Sequence, residues 1–266
     1  MTTVAFILST RRAGSTWLGA VLGSHPNAAN LGEYFRPFLD RSHVACRLCQ
    51  ADGLAQCRVL HGIEDIPVER AFTFAARRLG TNVLVECSKL LDWPVQFLRQ
   101  PDLDMRFIHL IRHPCGYIES ETRRRPGAKV ATLVDEWTQQ NQHIEEFVRT
   151  SGRPHVRASY DLLADEPHDR FPALCEFLDL RFEPAALAYW NFEHHGLGGN
   201  GASSLYLRGR SQTHYITGDD AYYASMTERP LSADRRWEQR VPASLQRAAT
   251  QTAYARSVAE SLGVRW

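Results

Sequence analysis

At 266 residues with 44% hydrophobic side chains, the chain is long enough for one large α/β domain or two small ones, with ample apolar material for a core. A net charge of +1 and a pI near 7.7 exclude a global pull toward nucleic acid or anionic membrane, so any affinity for an anion has to be local. Six cysteines are too few for a disulfide scaffold at this length, no apolar run approaches the roughly 20 residues that span a bilayer, and the first residues read as a strand rather than an export signal, so a cytoplasmic location is expected.

Residues 3 to 22, TVAFILSTRRAGSTWLGAVL, organise the rest. Val4 to Leu8 form a short apolar run suited to a buried parallel strand. Gly14 permits a sharp turn, Ser15 and Thr16 are good helix-start residues, and Trp17, Leu18, Val21 and Leu22 recur at helical spacing. The unpaired N–H groups of such a turn make a nest for an anion, and Arg11 and Arg12 add planar cationic donors. A Walker A loop places a lysine where this chain has Gly14, which disfavours a nucleoside triphosphatase. The form R-x-G-S-T-x-L after a strand, Arg12 to Leu18, closely resembles the 5′-phosphosulfate loop of sulfotransferases that use 3′-phosphoadenosine 5′-phosphosulfate (PAPS). That resemblance implies a P-loop-like α/β fold, with Arg11, Arg12, Ala13, Gly14, Ser15, Thr16 and Trp17 at the phosphosulfate.

Beyond the helix, SHPNAANLGEYFRPF reads as a loop that brings Glu33 past the carboxyl ends of strands. By itself Glu33 is either a surface glutamate or a carboxylate able to take a proton from a hydroxyl. The order R-x-G-S-T, S-H-P, G-E-x-F resembles bacterial and Golgi sulfotransferases, which implies that Glu33 is the general base. Residues 43 to 61 gather Cys46, Cys49 and Cys57 with His43 and His61 and lack periodicity. Free thiols in a substrate-covering lid are the preferred reading. A structural zinc held by the Cys-x-x-Cys half-site, a third cysteine and a histidine is the alternative.

Val68 to Leu79 reads as one amphipathic helix stopped by Gly80, and Asn82 to Cys87 as a second buried strand ending in Ser88 and Lys89. A lysine at a strand end is either simply exposed or a cation for a bridging oxygen. The match of E-C-S-K to the sulfotransferase pattern implies the second. Met105 to Ile111 is a third strand with Arg112 at its exit, and His113 and Pro114 open a helix. Ser120 follows Arg112 by eight positions, about two turns at 3.6 residues per turn. This resembles the R-D-P segment and following serine by which sulfotransferases hold the 3′-phosphate, with His113 in place of the aspartate.

Val130 to Val148 reads as an amphipathic scaffold helix and His155 to Arg157 as a short strand, with Tyr160 and Leu163 packing beneath the segment from Pro172 to Leu178. His194 and His195 are adjacent, point apart, and are read as loop residues. The glycine-rich stretch Gly196 to Arg210 suits a closing loop and resembles the family's H-x-x-x-G-N segment at His195 to Asn200. Arg208, Arg210 and Ser211 are then expected to complete the PAPS site, and Asp234 to Leu245, with Trp237, resembles the family's closing segment.

Together these readings imply a single sulfotransferase domain over 1–266: a central parallel sheet, helices on both faces, a cysteine-rich lid insertion at 43–61 and a mobile loop at 196–236. The expected reaction moves a sulfuryl group from PAPS to a hydroxyl or phenol, with Glu33, Lys89 and Arg12 as the catalytic groups and no metal required. The acceptor class is open among small molecules, glycans, lipids and peptides, and neither nucleic acid nor a membrane span is expected. A P-loop kinase and a non-catalytic nucleotide-binding protein are the rival readings.

Overall fold

The computed structural model describes residues 1–39, 46, 48–49, 57, 59–199 and 231–266. Five strands, β1 (Thr2–Ser9), β2 (Ala28–Gly32), β3 (Val83–Glu86), β4 (Leu103–Ile111) and β5 (His155–Ser159), form one all-parallel sheet in the order β2-β3-β1-β4-β5. β1 is central because its apolar run serves both faces. Val4, Phe6 and Leu8 enter one core cluster while Ala5 and Ile7 enter the other, as a period of two requires.

On the first face, Phe72 and Ala75 of α3 (Ala71–Leu79) and Ile144 and Val148 of α6 (Val130–Thr150) cover Phe6 and Phe107, and Phe38 of the short α2 (Arg36–Leu39) and Trp93 of the short α4 (Asp92–Val95) join the same cluster. On the second, Leu18 and Val21 of α1 (Ser15–Leu22), Leu163 of α7 (Tyr160–Asp165) and Phe171 and Leu174 of α8 (Pro167–Phe177) cover Ile7, Ile108 and Leu110. α5 (Pro114–Arg124) packs on α6 and the two C-terminal helices, Ala243–Thr250 and Ala253–Leu262, in a third cluster built on Ile118, Leu133, Trp137 and Val258. The expected parallel sheet with helices on both faces is therefore present.

Two local expectations need correction. The segment after α1, read as a loop, contains the edge strand β2, which pairs with β3 and carries an irregularity between Asn30 and Gly32. Its sequence, AANLG, lacks the β-branched residues that mark strands, so its extension comes from pairing with β3. The helix expected from Val68 begins instead as a single 3₁₀ turn, Val68–Arg70, before α3. Gly80 ends that helix in the left-handed conformation at φ 66°, as expected of a glycine stop.

The chain leaves β1 for β2 on one side of the sheet and later crosses to β4 on the other. In open α/β sheets the crevice outside the carboxyl ends of the strands at such a reversal is where ligands bind. Here that crevice is bounded by the turns after β1, β2, β3 and β4.

Candidate active site

The turn after β1 is tight because Arg12 and Gly14 both take left-handed conformations, at φ 67° and 94°. Gly14 immediately precedes α1, whose first N–H groups have no partner within the helix. A Cβ on Gly14 would lie 2.4 Å from Cδ2 of Tyr160, so only glycine fits both the backbone and the space. Gly14→Ala is accordingly expected to displace either the loop or Tyr160 and to lower the thermal midpoint. An unchanged midpoint with unchanged anion binding would show that the turn tolerates a side chain.

Lys89 ties this loop to the next. It follows β3 at φ 65°, and its Nζ lies 3.2 Å from Ser15 Oγ, 3.2 Å from Glu33 Oε1 and 2.8 Å from the Cys87 carbonyl oxygen. Glu33 is buried at the end of β2. Its other oxygen, Oε2, accepts a hydrogen bond of 2.9 Å from Arg36 Nε, and a backbone N–H of Gly199 also donates to the carboxylate. Burial by itself raises the pKa of Glu33, but Lys89, Arg36 and the Gly199 N–H outweigh it and hold the carboxyl below its ordinary value. Glu33 is thus ionised at neutral pH.

A second carboxylate, Glu86 at the end of β3, behaves in the opposite way. It is fully buried, and burial pushes it up to about 8 although it accepts N–H bonds of 3.0 Å from both Tyr34 and Ser88. Glu86 therefore pins the residue after Glu33 and the residue before Lys89 to one point. It is a positioning residue that sequence reading passed over, because nothing in E-C-S-K marks its side chain as turned inward.

Arg112 leaves β4 into the same crevice. It donates to the Arg12 carbonyl at 2.9 Å and to the Asp234 carbonyl at 3.0 Å, pairs with the Asp234 carboxylate at 3.1 Å, and lies over the Tyr160 ring at 5.2 Å. Asp234 is held well below the usual carboxylate range: Arg236 and Arg112 more than offset its burial. A Cβ on Gly116 would lie 2.5 Å from Arg112 Nε, so the arginine packs directly on α5 one turn before Ser120, which is buried on that helix. His113, in the place of the familiar aspartate, caps α5 by accepting the Cys115 N–H at 3.1 Å and stacks on Trp237 at 4.0 Å. Burial followed by the charge of Arg112 lowers its pKa to about 3, so the ring is neutral, as a stacked cap requires.

Of the residues singled out in the sequence, Ser15, Lys89 and Glu33 are thus joined by direct contacts, Arg112 meets the Arg12 carbonyl, and the turn through Gly14 links the two sets along one crevice. Ala13 is buried beneath the turn, Thr16 and Trp17 lie on α1, and Trp17 packs edge-on to Tyr160 at 5.5 Å. Arg11 is exposed at the turn. Arg208, Arg210 and Ser211 lie outside the described residues, as does most of the 196–236 segment. Sequence reading missed Tyr160, Asp234 and Gly116 as site residues. The tyrosine was legible only as packing, and the other two acquire a role only once Arg112 lies against them.

This combination of an all-parallel sheet, a glycine turn into α1 and convergent turns after the strands is the fold of sulfotransferase domains. The sulfotransferase domain from the curacin biosynthetic pathway superposes with a TM-score of 0.62 at 20% identity, covering 100% of this chain and 99% of the other. The sulfotransferase domain from the Synechococcus PCC 7002 olefin synthase does so with a TM-score of 0.57 at 21% identity, covering 100% of this chain and 96% of the other. No protein-family model and no curated protein matches the sequence. Among the described residues no helix is long and apolar enough to cross a membrane.

Proposed function

We propose that the protein is a sulfotransferase that moves the sulfuryl group of PAPS to an acceptor hydroxyl or phenol. The observation that carries this reading is the triad Ser15–Lys89–Glu33, in which one ammonium bridges the anion-binding turn and an ionised, buried carboxylate at 3.2 Å each. A cation next to an anion nest is suited to a sulfate–phosphate linkage. The carboxylate beside it is suited to an approaching hydroxyl. The likeness to sulfotransferase domains supports the same reading at the level of the fold.

In this scheme the acceptor oxygen attacks sulfur and Glu33 takes its proton. The bond from sulfur to the bridging oxygen breaks, and adenosine 3′,5′-bisphosphate leaves with the electron pair. Arg12 and the N–H groups at Gly14 to Trp17 hold the phosphosulfate, while Lys89 stabilises charge growing on the leaving oxygen. Arg112 and Ser120 hold the 3′-phosphate, with Arg208 and Ser211 completing the donor site. The charge that magnesium supplies in phosphoryl transfer is here supplied by arginine and lysine. For Lys89 to serve the leaving oxygen it has to share its protons with the donor, which loosens its hold on Glu33 and restores basicity to that carboxylate as the acceptor arrives.

The test is a mass-spectrometric screen of alcohols, phenols, glycans, lipids and tyrosine peptides incubated with PAPS, together with calorimetry of adenosine 3′,5′-bisphosphate in the absence of magnesium. The expected result is tight magnesium-independent binding and a gain of one SO₃ on one acceptor class. Magnesium-dependent ATP binding with phosphate transfer would replace this reading by a kinase. Nucleotide binding without transfer to any acceptor would leave a nucleotide-binding protein.

A further inference from the structure

The cysteine-rich segment and the glycine-rich strap meet at a point that the proposed chemistry does not use. Sγ of Cys46, Cys49 and Cys57 lie 3.4, 3.6 and 3.4 Å from Nδ1 of a single imidazole, His195, more than a hundred residues further along the chain. All four ligand-type atoms fall within 4.8 Å of one another, and the three thiols are free. We propose that Cys46, Cys49, Cys57 and His195 form a structural Cys₃His zinc site that clamps the lid segment to the strap beside the active site.

The geometry is that of an assembled ligand shell. Tetrahedral zinc with Zn–S near 2.3 Å and Zn–N near 2.0–2.1 Å has sulfur-to-nitrogen edges of about 3.5–3.6 Å, which is the spacing found here. The other ring nitrogen, Nε2, lies 2.6 Å from Glu193 Oε1. A carboxylate at that nitrogen keeps the proton there and leaves Nδ1 as a lone pair facing the thiols, the arrangement that metal-bound histidines use. Backbone N–H groups of Leu48 and Cys49 donate to the Cys46 sulfur, and those of Val59 and Leu60 to the Cys57 sulfur. N–H donors aimed at two of the three sulfurs suit thiolates, the form in which cysteine binds zinc. With four protein ligands the shell is closed, which fits a structural rather than a catalytic metal.

What the clamp holds follows from the strap. Leu197, two residues after His195, bridges to both Gly32 and Cys46; its N–H donates to the Leu31 carbonyl at 2.9 Å and its carbonyl accepts the Glu33 N–H at 2.6 Å. A Cβ on Gly198 would lie 2.5 Å from Glu33 Oε2. The metal thus fixes the backbone that lies against Glu33. Zinc binding displaces the thiol protons into solvent, so the apparent affinity rises with pH. Reading His195 as a simple loop residue is replaced by its role as the fourth ligand; a ligand separated from the others by so much chain has no signature in spacing.

Elemental analysis of the full chain purified under reducing conditions with zinc supplied is expected to find one zinc per chain. Cobalt added after chelation is expected to give the ligand-field bands of a tetrahedral site with thiolate-to-cobalt charge transfer. Cys49→Ala and His195→Ala should lose the metal and melt at lower temperature. Glu193→Gln, altered on a half-exposed side chain, should remain folded and bind zinc about 10- to 100-fold more weakly in competition with a chromophoric chelator. Well under one equivalent of zinc together with no tetrahedral cobalt spectrum would overturn the site. So would stoichiometric iron in place of zinc. These readouts are metal content, spectrum and stability, so they stand or fall apart from sulfuryl transfer.

Discussion

Glu33→Gln is expected to lower turnover on an aliphatic alcohol acceptor by roughly 10² to 10⁴, the usual contribution of a positioned general base, while affinity for the donor product stays nearly constant. The amide keeps the size of the carboxylate and an oxygen for the Gly199 N–H, and Lys89 keeps the Cys87 carbonyl and Ser15 Oγ. What it loses is the charge and basicity that let the carboxylate take the proton. The alcohol matters because a phenol is already prone to ionise and would mask the loss. Wild-type turnover in this variant would reduce Glu33 to a residue that merely anchors Lys89 and Arg36.

The same carboxylate sets an expected pH profile. Its folded pKa is lowered, so it is ionised above its ordinary range and at neutral pH. The acid limb of kcat/KM should therefore fall only as pH drops below the usual carboxylate value, and the stability that its ion pairs contribute should be lost over the same interval. An acid limb near neutrality that vanishes in Glu33→Gln would mean that the free enzyme holds this carboxyl in a less cationic setting than the structure shows.

The second large effect is expected at Arg112 and Ser120. Losing a hydrogen bond to a charged group costs about 1.5–3 kcal/mol, or about 10- to 150-fold in affinity. Both Arg112→Ala and Ser120→Ala should impose that loss on adenosine 3′,5′-bisphosphate and much less on AMP, which lacks the 3′-phosphate. The two variants are not equivalent. Arg112 also donates to the Arg12 carbonyl and pairs with Asp234, so its removal disturbs the turn after β1 as well and takes one cation from Asp234. Ser120→Ala is the cleaner probe. Equal losses for the two ligands in Ser120→Ala, measured by calorimetry, would remove α5 from the 3′-phosphate site.

Much of the architecture could be read directly from residue order, because its determinants are local. Val4 to Leu8 alternates between two cores, Gly14 takes the left-handed conformation of a tight turn, and Gly80 ends its helix in the same conformation. Each of these is a preference of a few neighbouring residues, and neighbouring residues are what a sequence displays. Arg12, Lys89 and Arg112 were legible for a related reason, since each stands at the end of a strand or in the turn that follows one; Glu33 was legible only through the resemblance of its G-E-x-F segment, because the strand before it was not.

What only the tertiary structure decided are the partnerships made across the chain. β2 is extended because β3 lies beside it, not because AANLG favours a strand. Arg112 meets Asp234, Glu86 reaches the N–H after Glu33, and His195 closes on three cysteines through contacts that span tens to more than a hundred residues. The energy of such a pair depends on distance and on the water excluded around it. Glu33 and Glu86 carry the same side chain, yet two cations hold one ionised while burial drives the other up to about 8. That difference arises only when the folded chain assembles the surroundings of each group.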